Sequence, residues 1–361
     1  MPRIEMRNLS RHFPSGVGLR DITWSIPDGQ TVWLIGPSGS GKTTLLRVLA
    51  GLEPLDQGEL HFDGRRMNDV PPHLRSIAYV TQRPALYPQW TVAANLAFAL
   101  PYAETRLPGI VNRLKIAHLL SRLPMTLSAG EQQRVAFARF LMREASIWLL
   151  DEPFASLDPP IRANLLHELH LLQGEFRATM IFVTHELNEA LAYHPHLAVL
   201  DGGRVVQVGS PMELRDRPFN QFVAWSLESP AIQWFAGCLQ TRPHGATYFR
   251  SDDGAMDVAL TGIGAMGATD VRVVLGLRAH DVRIGSSGHL ALGEWIVTRC
   301  DPQPGSFRVT VQRDASTLQG WATSELTIGS RHPCWAPMQA WRFFAEGSGN
   351  LLTPTPALHD D

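Results

Sequence analysis

The chain has 361 residues, 44% of them apolar, and a formal net charge of −2. That length suits two domains, or one large domain with an appendage. The near-neutral charge gives no bulk field to attract nucleic acid or an anionic membrane. The three cysteines, Cys238, Cys300 and Cys334, are scattered and form no C-x-x-C pair. Neither a disulfide framework nor a zinc site is expected from them, and a reducing cytoplasm fits.

The opening "MPRIEMRNLSRHF" has no apolar h-region, so no secretory signal is expected. No apolar run reaches the roughly 18–20 residues of a membrane span, so any membrane association has to come through a partner. "TVWLIG" (Thr31–Gly36) is a short apolar run ending at glycine, with the helical stretch "TTLLRVLAG" soon after it. Between Asn95 and Leu127 the pattern turns helical, with a Pro/Gly loop expected at Pro101–Gly109. "IWLLD" (Ile147–Asp151) and "TMIFVTH" (Thr179–His185) are apolar runs too short for helices. "LAVLDGGRVVQVG" (Leu197–Gly209) reads as a hairpin around Asp-Gly-Gly. Continuous apolar strands alternating with helices imply a parallel sheet covered on both faces. After about residue 230, short alternating runs are separated by Gly, Pro, Ser and Asp. They suit a small all-β barrel or sandwich. The expected organisation is an α/β domain over residues 1–230, with a helical insertion at about 90–145, and a β-rich domain over 231–361.

Three stretches carry chemistry. "GPSGSGKT" (Gly36, Pro37, Ser38, Gly39, Ser40, Gly41, Lys42, Thr43) fits G-x-x-x-x-G-K-[ST] between a strand and a helix. The glycines let backbone N–H groups turn inward toward phosphate oxygens, and the helix presents its positive end to the same anion. Lys42 can reach β- and γ-phosphates, and the Thr43 hydroxyl can ligate Mg²⁺. "IWLLDEP" ends a buried run in Asp151 and Glu152. Such acids are costly there unless they have work to do. Asp151 suits a Mg²⁺ ligand and Glu152 a base for an attacking water, given a strand next to the one that ends at Gly36. "TLSAGEQQRVAFAR" (Thr126–Arg139) contains Ser128-x-x-Glu131, a capping box that by itself marks only a helix start.

Taken in order over about 230 residues, these motifs resemble the ATP-binding subunit of ABC transporters. Gly36–Thr43 resembles the Walker A loop, with Thr44 following it, and Gln82 in "YVTQRPALYP" the Q-loop glutamine. "LSAGEQQRVA" resembles the signature, "IWLLDEP" the Walker B strand, Ser156–Asp158 the D-loop, and His185 in "VTHE" the switch histidine. Phe13 stands where the family has an adenine-stacking aromatic. The resemblance implies a P-loop NTPase (RecA-like) core with a helical insertion, followed by a small β domain. It implies ATP and Mg²⁺ as ligands, with Thr43, Gln82 and Asp151 serving the metal. Glu152, His185 and Gln82 would act in hydrolysis. It further implies a head-to-tail pair of ATPase subunits, in which Ser128 and Gly130 cap the nucleotide of the second subunit, itself a copy or a paralogue.

Two departures stand out. Ala129 replaces the first glycine of Leu-Ser-Gly-Gly, and Glu131 stands where glutamine is common. The C-terminal third, with "VVLGLRAHDVRI", resembles the tail of maltose-type importers, although His280 falls in a stretch where that group has Arg-Pro-Glu. This implies a peripheral protein on the cytoplasmic face of the inner membrane, docked on two membrane-spanning permease subunits. A solute-binding protein would be an indirect partner, and nucleic acid none. The implied cargo is a sugar or sugar-like solute such as glycerol or glycerol phosphate. Ferric iron, polyamine, molybdate and sulfate importers share similar tails and are the alternative, ahead of a non-transport ABC ATPase.

Overall fold

The computed structural model describes residues 2–14, 16, 18–82, 85–98, 103–155, 157–184, 196–227, 232–241, 247–260, 270–285, 290–337 and 340–352. The chain divides into two compact units, Met1–Pro211 and Met212–Asp361.

The first unit holds two sheets. An antiparallel sheet has the order β2-β1-β4-β5, from β1 (Ile4–His12), β2 (Gly18–Ile26), β4 (Gln57–Phe62) and β5 (Arg65–Arg66). The larger sheet has the order β10-β9-β3-β8-β7-β6. Its strands are β3 (Thr31–Ile35), β6 (Ile77–Val80), β7 (Ile147–Asp151), β8 (Thr179–Val183), β9 (His196–Asp201) and β10 (Arg204–Gly209). β3, β6, β7, β8 and β9 pair in parallel, while β10 returns as the hairpin expected from Asp-Gly-Gly. Every residue of β7 and β8 is buried, which explains their uninterrupted apolar runs. One face packs Val32, Leu34, Leu149 and Ile181 against Leu45, Leu46 and Leu49 of α1 (Lys42–Ala50). Each such leucine contributes about 1.5–3 kcal/mol on burial.

Two expectations are corrected. The Gly36 strand and the Asp151 strand are not neighbours: β8 lies between β3 and β7. The apolar run of β8 suits the sheet centre as well as β7 does, and apolarity carries no information on strand order. The expected Pro/Gly loop is also a helix in large part. After α2 (Val92–Ala97), α3 (Ala103–Arg113) runs through Pro108 and Gly109. Burial of Val111 and Leu114 outweighs the local preference for a break. α4 (Ala129–Met142) and α5 (Pro159–Phe176) are the longest described helices of this unit.

In the second unit, α6 (Pro211–Asp216) spans the division and is followed by α7 (Gln221–Ser226), capped by the Asn220 side chain. A five-stranded antiparallel sheet, β13-β12-β11-β14-β20, is built from β11 (Ile232–Thr241), β12 (Thr247–Ser251), β13 (Asp257–Leu260), β14 (Val271–Arg278) and β20 (Arg342–Ala345). Next to it in sequence, β15 (Arg283–Ile284), β16 (Leu290–Gln303), β17 (Ser306–Arg313), β18 (Ser316–Ala322) and β19 (Arg331–Ala336) form a closed barrel of order β15-β18-β17-β16-β19. Sheet and barrel share one apolar core that includes Phe249, Phe343, Val309 and Trp295. The Trp295 indole N–H, fully buried, donates to the Leu292 carbonyl at 3.0 Å.

Candidate functional site

The loop from Gly36 to Gly41 joins β3 to α1. A side chain at Gly36 would place its Cβ 2.1 Å from the Leu200 carbonyl oxygen, so only glycine fits there. Gly39 (φ 81°) and Gly41 (φ 103°) take the left-handed conformations that turn the loop back on itself, and the Ser40 N–H closes it on the Pro37 carbonyl at 3.2 Å. Lys42, only 8% exposed, donates to the Gly36 carbonyl at 2.9 Å and the Pro37 carbonyl at 2.8 Å. Burial pushes its pKa below the usual lysine value, against the pull of Glu152 and then Asp151. The buried Ser40 hydroxyl has no hydrogen-bond partner among the described residues. A buried cation, an orphaned hydroxyl and a glycine-turned loop suit an anion of phosphate type.

The acids arrive from β7. Burial raises the Asp151 pKa above the ordinary carboxylate value, while a hydrogen bond from the Thr43 hydroxyl opposes the rise. The Tyr79 hydroxyl, on β6, donates to Asp151 Oδ2 at 3.4 Å, and burial and the Asp151 charge drive its own pKa up. Glu152 follows in a left-handed conformation, φ 47°, of a kind that costs about 1–3 kcal/mol in a non-glycine residue. It is held there: its N–H donates to the Val183 carbonyl at 3.1 Å, and its Oε2 accepts from Gln82 Nε2 at 3.2 Å. The hard oxygens of Asp151 and Thr43 are donors that suit Mg²⁺.

α4 begins with the capping box in full. The Ser128 hydroxyl accepts from the Glu131 N–H at 3.3 Å, and the Ser128 N–H donates to Glu131 Oε2 at 2.8 Å. The bond from the Ser128 N–H, and after it one from the Ser128 side chain to the carboxylate, hold the Glu131 carboxyl below its ordinary pKa.

Thus the fold brings Lys42, Thr43, Asp151, Glu152 and Gln82 together at the tips of β3, β7 and β6. Ser38 and Thr44 lie on the loop and the first turn of α1. Phe13, half-buried beneath the Arg11 guanidinium at 4.9 Å, sits in the loop before β2. That loop reaches the cradle at Gly18, whose carbonyl oxygen lies 3.1 Å from where a Gly41 Cβ would stand. Among the described residues no hydrogen bond joins Ser128 or Gly130 to the cradle. His185 and Ser156 lie outside the described residues. Sequence reasoning missed Tyr79, whose only signal was a polar hydroxyl in an otherwise apolar strand. It also missed Gln133, which reads as one more polar residue of a surface helix yet is 2% exposed.

A model of the ABC transporter family matches residues 19–155. The maltose/maltodextrin import ATP-binding protein MalK of Yersinia pestis bv. Antiqua (strain Antiqua) is 42% identical over 241 residues, which cover 65% of this chain and 65% of that protein. The protein of the same name from Salmonella typhimurium is 41% identical over the same shares. The match thus spans just under two thirds of these relatives' length. A solved ATP-binding subunit of an ABC transporter is 30% identical, with a TM-score of 0.53 over 59% of this chain and 91% of its own. A dimeric ATP-binding cassette in a post-hydrolysis state, bound to ADP and Pi, is 27% identical, with a TM-score of 0.53 over 57% of this chain and 98% of its own.

Proposed function

Since the chain belongs to the ABC transporter family, as its ATP-binding members do, we propose that it is the ATP-hydrolysing motor subunit of an importer of maltodextrin-like sugars. The observation that carries the reading is the convergence of Lys42, Asp151, Glu152 and Gln82 on one phosphate-shaped loop. Lys42 can exchange the Gly36 and Pro37 carbonyls for the β- and γ-phosphates of ATP, which offsets the burial of its charge. Phe13 stacks on adenine. Thr43, Gln82 and Asp151 would hold Mg²⁺, which would supply charge neutralisation on the phosphates. Glu152 takes a proton from the attacking water, with Gln82 steering its carboxylate. His185 contacts the γ-phosphate.

Ser128 and Gly130 complete the shell from a second subunit, in keeping with the lack, among the described residues, of any hydrogen bond from them to the cradle of their own chain. A helix start offers backbone N–H groups to an anion, and at α4 the capping box takes up only that of Glu131. The protein works at the cytoplasmic face of the plasma membrane, bound to two permease subunits. Among the described residues no helix is long and apolar enough to cross a membrane. The named relatives favour sugar over ferric iron, polyamine, molybdate or sulfate as cargo.

The test is steady-state hydrolysis by Glu152→Gln. The reading predicts retained ATP binding and a fall in turnover of about 10²–10⁴-fold, the usual contribution of a general base. Turnover near the wild-type rate would remove Glu152 from the mechanism.

A further inference from the structure

One face of α4 is fastened to the segment that carries Glu152. Gly130, Gln133 and Phe137 recur at helical spacing and meet Leu157, Pro153 and Phe154 respectively. A Cβ at Gly130 would lie 3.3 Å from Leu157 Cδ2. Gln133 Nε2 donates to the Pro153 carbonyl. Phe137 packs edge-on to Phe154, ring centroids 5.2 Å apart. Of these contacts only the Gln133 bond is polar and directional. The Gln133 side chain is buried, and its Oε1 has no partner among the described residues. A buried amide that leaves its oxygen unsatisfied is costly, so apolar packing alone does not account for this residue.

Pro153 directly follows Glu152, whose left-handed backbone depends on outside support. Two bonds bracket the Glu152–Pro153 backbone: the Glu152 N–H donates to the Val183 carbonyl, and the Pro153 carbonyl accepts from Gln133 Nε2. We propose that Gln133 is a positioning residue: through the Pro153 carbonyl it sets the Glu152 carboxylate and ties that setting to the position of α4. Its consequence is a link between two reaction sites. Ser128, five residues before Gln133 on the same helix, serves the nucleotide on the second subunit, whereas Glu152 serves the nucleotide on its own. A helix drawn toward one γ-phosphate then orients the base at the other. This rests on the reading of Glu152 and Ser128 given above.

The experiment uses the full-length chain. Gln133→Leu keeps the volume and removes the donor. Gln133→Glu keeps the shape but donates to Pro153 only while protonated. Leu141→Val, about two turns further along α4, weakens packing without touching the bond. Expected for Gln133→Leu are a kcat lowered by about tenfold or more, as for a misplaced catalytic group, a KM for ATP close to wild type, and loss of cooperativity in ATP. For Gln133→Glu, kcat falls as pH rises through the titration of the new carboxyl, in a range where the wild-type rate is flat. Leu141→Val lowers Tm with a smaller change in kcat.

Wild-type kcat and cooperativity in Gln133→Leu would overturn the proposal. So would a loss of kcat that tracks the loss of Tm equally in Gln133→Leu and Leu141→Val, or a Gln133→Glu profile parallel to wild type. Glu152→Gln separates the two levels. If it is inactive while Gln133→Leu is normal, only this coupling fails. If it turns over ATP normally, the underlying reading fails as well.

Discussion

Lys42 illustrates a residue held at a cost until its ligand arrives. Its ammonium group is buried, it satisfies two backbone carbonyls, and burial lowers its affinity for the proton. The ligand-free chain gains little from such a charge, because desolvation opposes the two bonds. Nucleotide phosphate changes the sign, since charge-assisted bonds are the strong ones. Lys42→Met therefore leaves the thermal stability of the nucleotide-free protein unchanged or higher. The same substitution weakens ATP binding by about 1.5–3 kcal/mol, or about 10- to 100-fold. Calorimetric unfolding and titration with a slowly hydrolysed ATP analogue measure the two halves. A lower Tm with normal affinity would mean that Lys42 is a packing residue. At this scale the site was legible wherever the chemistry requires one residue type at one spacing, as from Gly36 to Thr43 and at Asp151-Glu152. Tyr79 and Gln133 were not legible, because each acts through a contact with a residue more than a dozen positions away, Asp151 and Pro153.

At the scale of elements, the start of α4 does two jobs with the same groups. Ser128 caps the helix and Glu131 closes the box, and in the proposed dimer the same turn faces phosphate. The jobs separate by substitution. Ser128→Ala loses the cap, at about 0.5–2 kcal/mol of stability, and loses activity. Ser128→Asp keeps a good cap and so keeps Tm, but repels phosphate and loses activity. Equal activity in Ser128→Asp and wild type would confine Ser128 to capping.

Glu131 adds a pH dependence. Its folded pKa lies below the ordinary 4.5 because it accepts from the Ser128 backbone N–H and then from the Ser128 side chain. A depressed carboxyl stabilises the fold above its unfolded pKa and ceases to do so as pH falls through the folded value. The stability gap between wild type and Glu131→Gln should therefore be present at neutral pH and shrink below about pH 4.5. Denaturant titrations at a series of pH values follow it, and a gap that widens in acid would contradict the capping role. Element type was readable from pattern: β7 and β8 as apolar runs, β9–β10 as a hairpin around Gly202 and Gly203. Strand order was not, because β8 and β7 are equally apolar and either could flank β3. Pro108 and Gly109 misled in the same way, since their local preference lost to the packing of α3.

For the whole molecule, the two units raise different expectations. The first carries the complete set of described site residues, and its fold is that of a solved ATP-binding subunit. The second, a sheet and a closed barrel on one core, was readable as β-rich from its alternating runs. The closure of its barrel was not, since that depends on the distant pairing of β15 with both β18 and β19. The central claim concerns assembly: each reaction site is built from the Gly36–Thr43 loop of one subunit and Ser128 of another. The most direct measurement is ATP retained through gel filtration by Glu152→Gln carrying either Lys42→Ala or Ser128→Arg, expressed separately and together. Each double variant alone should retain little ATP, because every site then lacks one half. Co-expressed, they should regain retention in the mixed dimer, where an intact loop from one chain meets an intact Ser128 from the other. Full retention by the Ser128→Arg form alone, or a mixture as empty as its components, would contradict the shared site.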